Sequence, residues 1–459
     1  MNRIPKIKLN KKLIFLSIIT VLLNACSVTK NLNSTQTGSQ WKATYDSFNA
    51  TEKLKLNAQK NAVVYLSSKI STAKGTMDLL LNNQHLADQH PVNHYRINLD
   101  QEAIISLAGK NATGSFNLNY PVYKKKDIRI ICKTNIELLA LSYLLANYED
   151  FTDFSGKAPV FKDLYALTSK IAFEFKPFLN SKNLDLIKTY LDRDFYLHYS
   201  NFVLPLDDFP NAKVTGVTDI THFKSKEDAE RFVTAFNDFF KEVKFQDFLI
   251  KYAPYYEKMT EEVSLNLPKE NFISEMENYF GKSVSQYVLY PSLTLPFSSG
   301  FAVGDKNTIG NIFASFNQPG EINDTNKLNL GYSNALSLRT ICIHEFGHSF
   351  VNPAVDKTDQ NTIQAKAFLF EPIKDKMSQQ GYDQWKICLY EHFNRANEVI
   401  IARHLGDEAK ANDILKDNID NRSFIYLPQI IKKLEFWYDN EFLDKSYGRK
   451  VSEIIAELK

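Results

Sequence analysis

The sequence predicts an α+β fold, in which a small β-rich N-terminal domain precedes a mainly helical domain with a short mixed sheet. The first observation is length, because 459 residues exceed one ordinary hydrophobic core and favour several domains. The second is the alternation of apolar and polar side chains within residues 46–125, which is typical of strands. The third is a series of helix-start signals and apolar-periodic segments within residues 126–459.

The β-rich domain, residues 46–125, contains several short segments that favour strands. Residues 62–66 form an apolar run, and residues 94–99 alternate in polarity. Residues 103–107 and 115–120 flank a segment rich in glycine, which predicts a hairpin with its turn at residues 109–114.

The second domain, residues 126–459, begins with a helix from Thr134 or Asn135 to residue 145. Ser225 is the predicted cap of a long helix, and another helix over residues 269–280 ends at Gly281. Strands are predicted at residues 286–295 and 310–316. A helix is predicted at residues 334–350, stopping before Asn352-Pro353, and a further long helix at residues 383–405.

The N-terminus predicts export and a lipid anchor. Residues 1–25 contain five basic residues, no acidic residue and an apolar run that is too short to span a bilayer, so they are typical of a signal peptide. The run ends in Leu-Asn-Ala before Cys26, which resembles a bacterial lipobox and makes Cys26 the expected lipid-attachment site. Residues 26–45 are polar and predict a flexible tether. A plain secretory signal with a free Cys26 is the alternative.

Charge and cysteine content limit the classes of partner. Without residues 1–25 the formal net charge falls from +2 to −3, and this near-neutral balance gives no basic surface for nucleic acid. The expected location is the bacterial cell envelope, most simply the outer membrane. Three further cysteines, Cys132, Cys342 and Cys388, do not form a disulfide framework. They favour buried thiols, with a Cys342–Cys388 bridge as the alternative.

The segment with the clearest chemistry is an HExxH motif formed by His344, Glu345 and His348. On a helix, residues i and i+4 lie about 40° apart around the axis and about 6 Å apart along it, so the two imidazoles can bind one zinc ion. Glu345 lies beside the first histidine and can accept a proton from metal-activated water. The neighbouring residues are uncharged, which predicts a buried helix.

The motif does not identify the third zinc ligand. A metzincin would have Gly at position 351 and His at position 354, where this chain has Val351 and Ala354. A glutamate on a downstream helix remains, as in gluzincins. Glu391 is the favoured candidate because it lies inside a predicted helix, and the alternatives are Glu371 and Glu398.

The segment from His344 to Pro353, HEFGHSFVNP, together with EHFNRA at residues 391–396, resembles a bacterial domain-of-unknown-function family of gluzincin-like predicted metallopeptidases. The resemblance covers residues 127–459. It implies a zincin-like fold for that part of the chain. It also implies His344, His348 and Glu391 as zinc ligands, with Glu345 as the general base.

These observations predict a zinc-dependent metallopeptidase that hydrolyses peptide bonds in a peptide or protein substrate. Tyr426 is the candidate for stabilising the oxyanion, with His392 and His404 as weaker alternatives and a core tyrosine as the simpler interpretation. Two other functions remain open. One is a zinc-bearing lipoprotein that acts as a binding or scaffold module, and the other is a zinc hydrolase of a cell-wall amide.

Overall fold

A computed structural model describes residues 28–149, 166–216, 218–295 and 300–459. These residues form two compact units. The first contains residues 28–125 and Phe436–Lys445, and the second contains Lys126–Glu435 and Ser446–Lys459. The N-terminal region is β-rich and the rest is mainly helical with a small mixed sheet, which confirms the predicted α+β class.

The first unit is built from nine strands in one sheet. Strands β1, β3, β8, β5 and β6 are neighbours in that order, while β2 pairs with β3, β4 with β8, and β7 and β9 with β5. The strands are β1 Val28–Lys30, β2 Asn33–Gln36, β3 Gln40–Asn49, β4 Thr51–Leu56, β5 Ala62–Leu81, β6 Gln84–His85, β7 Asn93–Asn98, β8 Ala103–Asn119 and β9 Val122–Lys124.

The core of this unit comes from side chains that alternate along its strands. In β3, Trp41, Ala43 and Tyr45 are buried while the residues between them are exposed. The Trp41 ring packs edge-on against Phe116 of β8 with 5.0 Å between centroids. Such aromatic pairs across a sheet stabilise the pairing of the two strands.

Residues 28–45 differ from their prediction. They contain β1, β2 and the first part of β3 rather than a flexible tether. The polar composition was misleading because all four residues of β2 are exposed strand residues. A protein truncated at residue 46, the predicted start of the β-rich domain, would lack the first part of β3. Residues 1–25 and Cys26 lie outside the described residues.

The hairpin predicted around residues 109–114 is also wrong, because this segment lies in the middle of the continuous strand β8. Its glycines permit close approach to a neighbouring strand. A Cβ on Gly114 would lie 1.9 Å from the Ser71 carbonyl oxygen of β5. The register between β5 and β8 shifts next to this contact, between Thr72 and Lys74, as it does at β-bulges.

The second unit contains a four-stranded sheet in the order β10, β11, β13, β12. The strands are β10 Ile128–Ile130, β11 Gln286–Pro291, β12 Gly300–Gly304 and β13 Thr308–Phe313. The first two pairings are parallel, and β12 is antiparallel to β13. Among the described strands, β12 therefore forms one edge of the sheet.

Fifteen described helices complete the chain, together with short 3-10 turns at Lys176–Phe178, Tyr196–Tyr199 and Ala367–Phe370. The helices are α1 Thr134–Ala146, α2 Ala166–Phe175, α3 Lys182–Leu191, α4 Ser200–Val203, α5 Lys226–Glu242, α6 Phe245–Lys251, α7 Ala253–Leu265, α8 Phe272–Phe280, α9 Ala335–Asp356, α10 Gln360–Ala365, α11 Lys374–Ser378, α12 Trp385–His404, α13 Glu408–Asp420, α14 Leu427–Glu441 and α15 Tyr447–Glu457.

Helix α9 continues past the point where the sequence predicts its end. Pro353 lies inside the helix, which runs on to Asp356. Proline in a helix removes one backbone hydrogen bond. Buried Val351, Ala354 and Val355 offset that loss, because the last turn of the helix still has an apolar face to pack.

The three described cysteines are all free, so no Cys342–Cys388 bridge is formed. Cys342 and Cys388 are buried thiols, as expected, whereas Cys132 is exposed. Within the described ranges, no helix combines the length and apolar character needed to cross a membrane.

A buried carboxyl on α1 predicts a pH-dependent stability. Glu137 is 1 % exposed, and it accepts hydrogen bonds from the Thr294 hydroxyl at 2.9 Å, the Tyr256 hydroxyl at 3.1 Å and the Leu293 amide at 3.2 Å. Burial nevertheless raises its pKa from 4.5 to about 7. A raised pKa means that the protonated carboxyl favours the folded state. This contribution is complete below about pH 4.5 and is lost as the pH rises to about 7.

Between about pH 4.5 and pH 7, we expect the free energy of unfolding of wild type to fall by about 3 kcal/mol relative to that of Glu137→Gln. The figure follows from about 1.4 kcal/mol per unit of pKa shift. Urea denaturation at several pH values measures the difference. Glu257→Gln, an exposed site on α7, is the control for loss of one carboxylate. If the difference in unfolding free energy between wild type and Glu137→Gln does not change with pH, this prediction is wrong.

Candidate metal centre

Helix α9 places the HExxH residues on one buried stretch. The Asn334 side chain caps the helix by accepting a hydrogen bond from the Ser337 amide at 2.9 Å. Leu338, Cys342 and Phe346 are fully buried and fix the rotation of the helix about its axis. His344, Glu345 and His348 lie together as one group of possible metal ligands.

Helix α12 packs against α9 and contributes Glu391 and Glu398. The close approach depends on Gly347, because a Cβ there would lie 2.2 Å from the Asn394 side-chain oxygen. The Asn394 amide group donates to the His344 carbonyl oxygen at 2.8 Å, which links the two helices at the motif. Glycine between Glu345 and His348 therefore lets α12 reach the site.

Three possible ligand atoms converge at this helix contact. The Nε2 atoms of His344 and His348 are 3.2 Å apart. Oxygens of Glu391 lie 3.2 Å from His348 Nε2 and 3.7 Å from His344 Nε2. Ligands held at 2.0–2.1 Å from one tetrahedral zinc ion would lie about 3.4 Å apart. The measured spacing fits such an arrangement.

The remaining ring nitrogens fix which atoms face the centre. His344 Nδ1 donates to the Glu398 carboxylate, and His348 Nδ1 donates to the Asn352 side-chain oxygen at 3.1 Å. With hydrogen on each Nδ1, each Nε2 presents a lone pair. Two lone pairs and the Glu391 carboxylate then face one point. One Glu391 oxygen has no hydrogen-bond partner among the described residues.

The electrostatics of the group also favour a bound cation. Burial alone would lower the pKa of His348, but the nearby Glu391 carboxylate raises it to about 9. Burial would raise the pKa of Glu391, yet the charges of His348, His344 and Arg395 hold it well below its usual range. The carboxylates of Glu391 and Glu398 both pair with the buried Arg395 guanidinium, at 3.7 and 3.6 Å. Two carboxylates beside one guanidinium leave an excess of negative charge that a bound cation would offset.

Glu345 belongs to the same group, with a carboxylate oxygen within 4.8 Å of ligand atoms of His344 and His348. It is 6 % exposed, and burial raises the pKa of its carboxyl. Its Oε1 lies next to the first residue of β12, since a Cβ on Gly300 would be 2.5 Å from that oxygen. Two imidazole nitrogens with one carboxylate are a zinc donor set, and a neighbouring glutamate is suited to accept a proton. The residues present therefore fit zinc.

A family profile described as "Domain of unknown function (DUF4932)" matches residues 128–456. The chain belongs to the DUF4932 family. The match covers both α9 and α12, whereas residues 28–125 lie outside it. It confirms the resemblance to a domain-of-unknown-function family, and the gluzincin relationship stays a prediction. Comparison with curated proteins finds no match.

The DUF4932 domain does not bring every candidate residue to the site. Glu371, an alternative third ligand, is exposed at the end of a 3-10 turn. Glu398, the other alternative, bonds His344 through Nδ1 rather than facing both Nε2 atoms. Of the three glutamates considered, Glu391 is the one within 4 Å of both Nε2 atoms.

Tyr426 does not support the predicted oxyanion role. Its hydroxyl donates to the Leu369 carbonyl oxygen at 2.7 Å and its ring is buried, so it behaves as a core tyrosine. The weaker candidates are also engaged elsewhere. His392 is buried with Nδ1 against the Cys388 carbonyl oxygen, and His404 Nδ1 lies 2.9 Å from Glu275.

The structure gives Glu398 and Arg395 roles that the sequence did not assign to them. Glu398 orients His344, and Arg395 lies 3.7 Å from Glu391 and 3.6 Å from Glu398. A carboxylate on the far nitrogen of a ligand histidine fixes the ring and raises its basicity. The available signal was spacing, because Glu391, Arg395 and Glu398 at i, i+4 and i+7 share one helix face.

A second group of the DUF4932 domain contains Asp194, His198 and His222. The Asp194 carboxylate lies 2.6 Å from His198 Nδ1 and 2.8 Å from His222 Nδ1. These are hydrogen-bond distances, shorter than the separation expected for ligands of one zinc ion. The group therefore acts as a hydrogen-bonded link between two loops.

Proposed function

We propose that this chain is a zinc-dependent metallopeptidase of gluzincin type. The observation that carries the proposal is the convergence of three acceptors, His344 Nε2, His348 Nε2 and the Glu391 carboxylate, on one buried point. In a protein interior, facing acceptors repel one another unless a proton or a metal ion lies between them, and the raised pKa of His348, about 9, reflects this demand for positive charge. A scaffold role would need the ligands but would have no use for the buried Glu345 beside them.

The roles of the residues follow from their positions. His344, His348 and Glu391 would hold the zinc ion, with Glu398 and Asn352 fixing the two rings. When bound, zinc supplies Lewis-acid chemistry that polarises a carbonyl group and makes water nucleophilic near neutral pH. Glu345 accepts the proton of the attacking water and delivers it to the leaving amine. Its burial keeps that proton from bulk solvent.

The edge strand β12 supports a peptide as the substrate. Among the described strands β12 has one partner, β13, and no described strand pairs along its other edge. The strand begins at Gly300, which abuts the Glu345 carboxylate. An extended peptide that adds to this edge would pass next to the general base. The strand predicted at residues 310–316 corresponds to β13, an inner strand, and the edge strand is β12, Gly300–Gly304.

The test is cleavage of a peptide library by the purified protein, read by mass spectrometry, with muropeptides as a second substrate set. We expect cleavage of peptide bonds that stops on chelation and returns with zinc. Cleavage of muropeptides alone would favour a zinc hydrolase that acts on a cell-wall amide. No cleavage of either set, by protein shown to contain zinc, would count against a hydrolase.

We further propose that the protein is exported and anchored to a bacterial membrane through a lipid on Cys26. The motivation is the signal-like residues 1–25 followed by the lipobox-like sequence. We expect the wild-type protein to sediment with membranes and Cys26→Ala to be released from them, because stable binding requires the acyl chains. Immunoblots of membrane and supernatant fractions measure the distribution. Cys132→Ala is the control, and equal membrane binding by Cys26→Ala would contradict the anchor.

A further inference from the structure

The edge of β12 away from β13 carries a short set of backbone groups with no described strand partner. The Gly304 amide points away from β13, because it donates to the Asn201 side-chain oxygen at 2.9 Å. Backbone groups of alternate strand residues point to the same edge, so those of Ala302 and Gly300 share that direction. Asn201 closes the edge at Gly304. An added strand can therefore pair along Gly300 to Ala302, next to Glu345.

The two faces of β12 offer different surroundings. The Cβ direction of Gly300 meets Glu345 and Ile341 of α9. Side chains alternate along a strand, so Phe301 lies on the opposite face. A peptide residue that pairs opposite Phe301 would place its side chain on that face too, because paired residues share a face.

On that face Phe301 belongs to an aromatic surface. Its ring centroid lies 5.9 Å from that of Phe195 and 5.8 Å from that of His198. Phe195 is 41 % exposed, so the surface is open to solvent. We call Phe195, His198 and Phe301 the aromatic platform.

The aromatic platform is held in place by the hydrogen-bonded group described above. The Asp194 carboxylate accepts from His198 Nδ1, His222 Nδ1 and the Phe195 amide, the last at 2.8 Å. One carboxylate thus orients the His198 ring and holds the backbone of Phe195. A fixed ring loses little conformational freedom when a ligand packs on it, which favours binding.

We propose that the aromatic platform is a specificity subsite for a large apolar or aromatic side chain of an extended peptide paired with β12. This rests on the proposed function, since it concerns the same site. The residue opposite Gly300 lies nearest Glu345, so the selected side chain belongs to a residue within two positions of the cleaved bond. Substrates are then extended segments with Phe, Tyr, Trp, Leu or Met at that position.

The test measures binding rather than turnover. Full-length Glu345→Gln protein loaded with zinc is titrated with fluorescein-labelled hexapeptides of Ala and Ser that carry one Phe at each position in turn. Burying a Phe ring predicts that one position binds about 10- to 100-fold more tightly than the peptide without Phe. N-methylation of the peptide amide that pairs with Ala302 should abolish this binding.

The added substitutions Phe195→Ala and Phe301→Ala, made separately, should each remove most of the Phe preference. Phe173→Ala is the matched control, since Phe173 is exposed on α2 outside the platform. Equal dissociation constants at every position, no measurable binding by any peptide, or a preference that survives Phe195→Ala would overturn the subsite. If wild type cleaves peptides without an aromatic preference, the subsite is wrong and the proposed metallopeptidase function is retained. If peptides bind selectively but are not cleaved, the subsite is retained and the peptidase function is wrong.

Discussion

Glu345→Gln is expected to keep the metal and the fold while losing hydrolysis by about 10²–10⁴-fold, the typical contribution of a general base. The substitution preserves the shape of a side chain that is 6 % exposed and abuts Gly300. It removes the group that accepts the proton. Glu345 lies close to the ligand atoms of His344 and His348, but the proposed ligands are His344, His348 and Glu391, so the metal content should not change.

The measurement compares the initial rate of cleavage of one library-derived peptide by wild type and Glu345→Gln, with zinc quantified by mass spectrometry. Glu371→Gln is the matched control, because Glu371 is an exposed glutamate at the end of a 3-10 turn. It should retain wild-type activity. Equal rates for Glu345→Gln and wild type would refute the general-base mechanism, whereas loss of zinc by Glu345→Gln would reassign this residue as a ligand.

Helical geometry explains why part of the site is readable from the sequence. Residues four apart share a face, so His344 and His348 are predicted to lie together before any packing is known. Glu391 required a further step, since its helix had to pack against α9. That packing depends on the close approach of the Asn394 side chain to the Gly347 backbone, which no local pattern predicts.

The contacts of Tyr426 and Glu398 join distant parts of the chain, so no local sequence pattern predicts them. The Tyr426 hydroxyl bonds the Leu369 carbonyl oxygen, and Glu398 bonds His344, 54 residues earlier. Composition misled in the same way at the N-terminus. Residues 33–36 are polar because both their faces are exposed, yet they pair with β3 as a strand. Gly114 allows β8 to approach β5 closely, where a side chain would clash, and it does not form a turn.

Removal of a single ligand should abolish stable zinc binding. We expect wild type to hold one zinc ion per chain, and His344→Ala, His348→Ala and Glu391→Ala to lose most of it. Each change leaves two protein ligands where zinc sites in proteins use three or four. Glu371→Ala should keep the metal, since this side chain is exposed. Mass spectrometry of dialysed protein measures the content.

Glu398→Gln separates a positioning role from a ligand role in the same experiment. Glu398 contacts His344 through Nδ1, and loss of such a partner typically weakens metal affinity by about 10- to 100-fold without removing the site. Competition with a chromogenic chelator should therefore rank wild type above Glu398→Gln, and Glu398→Gln above Glu391→Ala. If Glu398→Gln lost all zinc while Glu391→Ala kept it, the third ligand would be Glu398. If both kept it and Glu371→Ala lost it, the metal would lie elsewhere than at the convergence of His344, His348 and Glu391.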